Sequence, residues 1–173
     1  RIGIIGAGWI AHKMTLALGY TDEACVYAIA SRSEDKARSF AEEHGIPMAY
    51  GSYEAMLDDT EVDLVYIATP HSHHFAHAML ALEHGKPVLV EKAFTANAKE
   101  AKILIDTARN KGLFITEAIW TRYMPLSHKI REIMDRGIIG EPRIITATLC
   151  YMMEHKERIV KPELCGGALL DLG

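Results

Sequence analysis

Five short apolar runs punctuate the first two thirds of the chain: "RIGII" (1–5), "CVYAIAS" (25–31), "DLVYIA" (63–68), "PVLVE" (87–91) and "LFITEA" (113–118). Stretches of roughly 10–15 residues with helical spacing lie between most of them. Runs this short, apolar on both faces and separated by helices, predict a parallel sheet covered by crossover helices. The pattern changes after Trp120. Pro125 opens a helix over about 126–136, Gly137 and Gly140 end it, and "RIITATLCYMM" (143–153) reads as a longer strand with no crossover behind it. A domain boundary is expected near 120, giving units 1–120 and 121–173.

At 173 residues and 49% apolar content the chain is long enough to bury a core. A net charge of −4 and a pI near 6.1 argue against a nucleic-acid surface or a polybasic membrane patch. Cys25, Cys150 and Cys165 are too far apart for a zinc motif and odd in number for a disulfide framework, so they read as reduced thiols of a cytoplasmic protein. No apolar run approaches the roughly 18 residues of a membrane span. The sequence starts at Arg1 rather than Met, which leaves room for a removed leader.

Gly6-Ala7-Gly8-Trp9-Ile10-Ala11 is a GxGxxA sequence between the first strand and the next helix. Gly6 permits the tight turn, Gly8 lets the backbone approach a diphosphate, and Ala11 keeps helix and strand close. The free N–H groups and positive dipole end of the helix, with Trp9 and Ile10 in its first turn, then face the phosphates. Strand, loop, helix and second strand fall in register. That context separates a dinucleotide-binding Rossmann fold from a glycine turn needed only for packing. The second strand ends at Ser31-Arg32-Ser33, where an NAD site usually carries a carboxylate for the ribose 2′-hydroxyl. Arg32, Ser33 and Lys36 could instead surround a 2′-phosphate, so NADP is favoured and NAD remains the alternative. Ordinary solvated charge is the competing account of Arg32 and Lys36, with Glu34 and Asp35 diluting the patch.

Parallel strands place their carboxyl ends on one edge, where open α/β sheets bind ligands. That edge collects Gly6–Gly8, Ser31-Arg32, Thr69-Pro70-His71, Glu91-Lys92 and Glu117–Trp120. Lys92 could be a surface lysine, but beside a nicotinamide it could hold a substrate hydroxyl and stabilise charge on the reacting oxygen. "TPHSHHFAH" (69–77) supplies four histidines. In a helix starting near Ser72, Phe75, Ala78, Met79 and Leu82 share the buried face, which puts His73 and His77 on the solvated one. Their i,i+4 spacing fits a metal pair, yet the glutamate of HExxH is replaced by His74, so no functional metal is expected. His71, in the loop, and His74, at the face boundary, could face the cleft.

These motifs together resemble the glucose–fructose oxidoreductase / inositol dehydrogenase / MocA family of NAD(P)-dependent oxidoreductases. "IGIIGAGWIA", "ASRSEDKARSFAEEHGIP", "YGSYEAMLDDTEVDLVYIATPHSHH", "ALEHGKPVLVEKAFT" and "GGALLDLG" carry the resemblance over essentially the whole chain, and "TEAIWTRYMP", with Trp120, looks most like the dimeric dihydrodiol dehydrogenase branch. The resemblance implies Lys92 as active-site lysine, in an Glu-Lys-Pro motif whose proline is here Ala93. It maps the histidine of TPxxxH to His74 and the Asp of DxxxH/Y to Asp171. The proton-donating His or Tyr would fall four residues later, at position 175, past Gly173. It also implies a second α+β domain with a largely antiparallel sheet, of which 121–173 would be the start, and roughly 150 further residues. A homo-oligomer, dimer or tetramer, through that domain is implied as well.

The expected activity is hydride transfer between nicotinamide and a carbinol/carbonyl carbon of a small molecule: a sugar, polyol or trans-dihydrodiol. A non-catalytic dinucleotide sensor of the same fold is the rival. Lys92 favours the enzyme, since a sensor has no need of it.

Overall fold

The computed structural model describes residues 1–153 and 155–171. Its sheet contains the five expected strands and one more: β1 (Ile2–Ile5), β2 (Val26–Ala30), β3 (Met48–Tyr50), β4 (Leu64–Ile67), β5 (Val88–Val90) and β6 (Ile115–Glu117). All neighbours pair in parallel, in the order β3-β2-β1-β4-β5-β6. This is the doubly wound Rossmann arrangement, and its order reverses between β1 and β4. Reading from the sequence passed over β3 because three residues at an edge, with Met48 exposed, carry no alternation to detect.

Helices α1 (Trp9–Leu18), α2 (Glu34–His44), α3 (Tyr53–Leu57), α4 (His71–Glu83) and α5 (Ala98–Lys111) cross between strands. Strand side chains alternate between two cores. Ile5, Ala30, Val65, Ile67 and Val90 pack with Met56 of α3, Ala78 and Leu82 of α4 and Leu104 of α5. Ile4, Ile29 and Tyr66 pack with Ala11 of α1 and Ala37 and Phe40 of α2. Ile4, Ile29 and Val65 have no exposed surface, so truncating one of the isoleucines to Ala would cost about 2–5 kcal/mol. Helix ends follow local chemistry. The Ser33 and Asn97 side chains accept from the Lys36 and Glu100 N–H groups, and Gly45, at φ +64°, closes α2 in a conformation that a Cβ disfavours.

Beyond β6 the expectations divide. Helix α6 (Pro125–Asp135) forms as expected, with Pro125 in its first turn, and short helices α7 (Glu157–Val160) and α8 (Ala168–Asp171) follow. Residues 143–153, expected as a strand, are irregular, and Ile144 and Ile145 are more than four-fifths exposed. The β propensity of that run is real, but a strand exists only when a neighbour takes its N–H and C=O groups. Among the described residues none lies beside it.

Candidate functional site

The carboxyl edge of the sheet holds a cleft of about 430 Å³. Gly8, Trp9 and Ile10 form one wall, Thr69, Pro70 and His71 another, and Glu91, Lys92, Trp120 and Asp171 the floor and far side. These come from four separate strand ends and from α8, and all were expected at the site. Ala68, Tyr151, Met153 and Arg158 also line it, and sequence reading missed them.

The wall built by β1 and α1 is shaped for an anion. Gly6 lies at φ +103°, and a Cβ there would come within 2.9 Å of the Ala68 carbonyl oxygen. Only glycine fits both the turn and the approach to β4. Gly8 caps α1 without any side-chain hydrogen bond, no acidic residue occupies the first turn, and a Cβ at Gly8 would meet nothing within 4 Å. The first N–H groups of α1 are therefore left to an outside acceptor. Ala11 is fully buried against β1, as the motif requires. Open space, free donors and a positive helix end fit a dinucleotide diphosphate.

Ser31, Arg32 and Lys36 do not line the cleft but stand beyond it at the end of β2 and the start of α2. The Ser33 side chain is occupied in capping α2, while the Ser31 hydroxyl accepts from the Ser33 N–H at 3.3 Å. Arg32 is exposed. Of the two acids expected to dilute its charge, Glu34 is held by Arg38 at 2.6 Å, while Asp35 stands exposed beside Lys36. Arg32 and Lys36 therefore keep one of the two expected diluting acids beside them, and the other is turned onto Arg38.

On the opposite wall, Lys92 follows β5. Its Nζ donates to the Asp171 backbone oxygen at 2.5 Å and lies 3.3 Å from Asp171 Oδ1. Arg158 donates to the same Oδ1 at 2.7 Å. The Asp171 side chain is only 3% exposed. Burial pushes its carboxyl upward, but the Arg158 hydrogen bond and the Lys92 charge outweigh burial and hold it below the usual aspartate range. The Lys92 side chain keeps 31% of its surface open to the cleft, enough to reach a bound molecule. Glu91 turns inward. It accepts from the Tyr66 hydroxyl at 2.5 Å and from the Lys92 N–H at 3.1 Å, so it anchors the lysine's backbone to β4. Burial raises the Glu91 carboxyl above its ordinary value, with these two donors opposing.

Three histidine expectations need correction. His71 is not in a loop but opens α4, 8% exposed, with Nδ1 3.4 Å from the Cys165 oxygen. It does line the cleft, and burial lowers its pKa. His74 does not face the cleft. It has no exposed surface, and its two ring nitrogens lie 2.7 Å from the Ala93 oxygen and 2.8 Å from the Thr69 oxygen. It ties the loop after β5 to the loop after β4. His77 is only partly solvated. Its Nδ1 shares a 3.0 Å hydrogen bond with Thr69 Oγ1, and its ring meets Tyr53 edge-on. The helix begins one residue earlier than expected and packs against α5 as well as the sheet, with Tyr53 of α3 meeting His77, so its buried arc is wider than an apolar count allows.

Comparison with known proteins agrees with this geometry. A family profile described as "Oxidoreductase family, NAD-binding Rossmann fold" matches residues 1–118. The trans-1,2-dihydrobenzene-1,2-diol dehydrogenase of Macaca fuscata fuscata is 41% identical over all of this chain and 52% of its own length. The D-xylose 1-dehydrogenase (NADP(+)) of Hypocrea jecorina is 51% identical over 72% of this chain and 34% of its own. The crystal structure of KijD10, a 3-ketoreductase from Actinomadura kijaniata, in an open conformation with TDP-benzene and NADP, superposes with a TM-score of 0.74 at 35% identity, covering 82% of this chain and 45% of that one. The chain thus spans about half the length of the dihydrodiol dehydrogenase it matches. Glycine loop, sheet order, strand-end lysine and these likenesses converge: the chain belongs to the glucose–fructose oxidoreductase / inositol dehydrogenase / MocA family of oxidoreductases, with its NAD-binding Rossmann fold.

Proposed function

We propose that the chain carries the cofactor-binding part of an NADP-dependent oxidoreductase acting on a carbinol/carbonyl carbon of a sugar, polyol or trans-dihydrodiol. The observation that carries this reading is the Lys92–Asp171–Arg158 cluster on the same cleft as the bare amino end of α1. Gly8 and the first turn of α1 would hold the diphosphate, Arg32 and Lys36 the 2′-phosphate, and Trp9, His71 and Trp120 the walls about the nicotinamide. NADP, when bound, supplies or accepts the hydride. Lys92 would hydrogen-bond the substrate oxygen and stabilise negative charge as the carbonyl forms or is reduced. Asp171, kept ionised by Arg158, would fix the ammonium in place. A dinucleotide sensor would have no use for this cluster.

NADP is supported by the exposed Arg32 at the end of β2 and by what the xylose dehydrogenase and KijD10 are said to use. The substrate class follows from those relatives' names. We further infer a homo-oligomer, supported by the exposed Leu126, Ile130 and Met134 of α6. A cytoplasmic location is supported by three free cysteines. Among the described residues no helix is long and apolar enough to cross a membrane. Steady-state assays of the full-length protein with NADPH and NADH against D-xylose and trans-dihydrodiols test the proposal, and binding of either dinucleotide by it with no turnover of any carbinol or carbonyl would overturn it.

A further inference from the structure

On the other side of α1, away from the cleft, three potential ligands meet. His12 lies in the second turn of α1, and Glu43 and His44 are the last two residues of α2. His12 Nδ1 and His44 Nε2 stand 3.0 Å apart. Glu43 Oε1 lies 3.8 Å from the first and 3.7 Å from the second. A point equidistant from three atoms so spaced is about 2 Å from each, the length of a Zn–N or Zn–O bond. We propose that His12, Glu43 and His44 form a binding site for a divalent transition-metal ion of the zinc class, one that clamps the start of α1 to the end of α2.

Two imidazoles and one carboxylate suit zinc, nickel or copper, whereas magnesium and calcium prefer all-oxygen shells. The His44 side chain is 7% exposed and its ring packs 4.5 Å from that of Phe40, so one ligand is fixed in place. His12 and Glu43 are 37% and 63% exposed, so they can turn onto an ion and leave its outer side to water. Three protein ligands with one open position is a coordination that zinc commonly takes. Without an ion, the two rings are joined by a single N–H···N bond. Ligation needs both nitrogens free of protons, so affinity should fall in acid. The clamp bears on cofactor-loop geometry only indirectly: α1 begins at the phosphate loop, and α2 begins just beyond Arg32.

The test is calorimetric titration of zinc chloride into the tag-free protein, with magnesium chloride as control and melting temperature as second readout. One zinc per chain, a raised melting temperature and no magnesium response are expected. H12N and E43Q should each weaken zinc binding by at least about tenfold, while an H73Q/H77Q double variant should leave it unchanged. E43Q changes an exposed side chain, so its result does not depend on packing. Absence of saturable zinc binding, equal binding in H12N and E43Q, loss confined to H73Q/H77Q, or a magnesium response equal to that of zinc would each overturn the site.

Discussion

Lys92 and Asp171 are 79 residues apart in sequence, yet the lysine's ammonium bonds both the backbone oxygen and the carboxylate of the aspartate. The contact joins the end of β5 to α8 and closes one side of the cleft. A buried carboxylate in contact with two cations is held ionised, and it in turn fixes the ammonium against the Coulomb cost of displacement. What the pair offers a substrate is a positioned positive donor.

In the full-length protein, Lys92→Met should therefore lower turnover at least about a hundredfold, the scale of a lost proton-transfer or oxyanion partner. NADPH affinity should change little, because the proposed diphosphate site lies with α1. Stopped-flow turnover beside a fluorescence titration would separate the two. Near-normal turnover would return Lys92 to the role of an ordinary surface lysine.

Arg158 touches Asp171, so if the proposed mechanism holds its signature is a pH profile. The Asp171 carboxyl is held low, which keeps the carboxylate present down to acid pH. Removing the guanidinium leaves burial to raise its pKa, and any activity that needs the carboxylate is then lost at a higher pH. In Arg158→Ala the acid limb of kcat/KM should move toward neutrality, and Arg158→Lys should restore part of the shift. An unmoved acid limb in Arg158→Ala would detach the arginine from the mechanism.

Legibility from sequence followed the range of the interactions. The phosphate loop was readable because a local backbone demand leaves a local glycine signal at Gly6 and Gly8. Lys92 was readable because strand ends are countable. Arg158 sits in "EHKERIVK", which reads as solvated charge until α8 brings Asp171 beside it. His74 and His77 were misplaced for a related reason: helical periodicity ranks faces by apolar content, and a histidine buried on backbone carbonyls or a threonine looks polar in that count. The 143–153 run has the residues of a strand but not the neighbour that makes one.

Arg32 governs cofactor choice if the corner at the end of β2 receives the 2′-phosphate. Arg32→Ala should weaken NADPH binding by about 1–3 kcal/mol, nearer the lower end for an exposed guanidinium, and spare NADH. Titration of both dinucleotides decides it: equal losses would place the 2′-phosphate elsewhere.

His77 predicts how stability depends on pH. Burial, reinforced by the neighbouring His73, His74 and Arg32, pulls its pKa down to about 4. In the unfolded chain an ordinary histidine titrates near about 6.5. Between those values the unfolded state binds a proton that the native state refuses, so stability rises with pH across the window. The folded protein keeps its full stability above about pH 6.5, loses it progressively as pH falls toward about 4, and this contribution then levels off. After allowing for partial exposure the loss is on the order of 2 kcal/mol. His71 and His74, both lowered by burial, push in the same direction. His77→Gln keeps a hydrogen-bond partner for Thr69 but has no proton to refuse. Its melting temperature should fall less than that of the wild type between pH 7 and pH 4.5, roughly the interval bounded by the two pKa values. Parallel melting curves for His77→Gln and wild type would mean that His77 is as solvated as its helical position first implied.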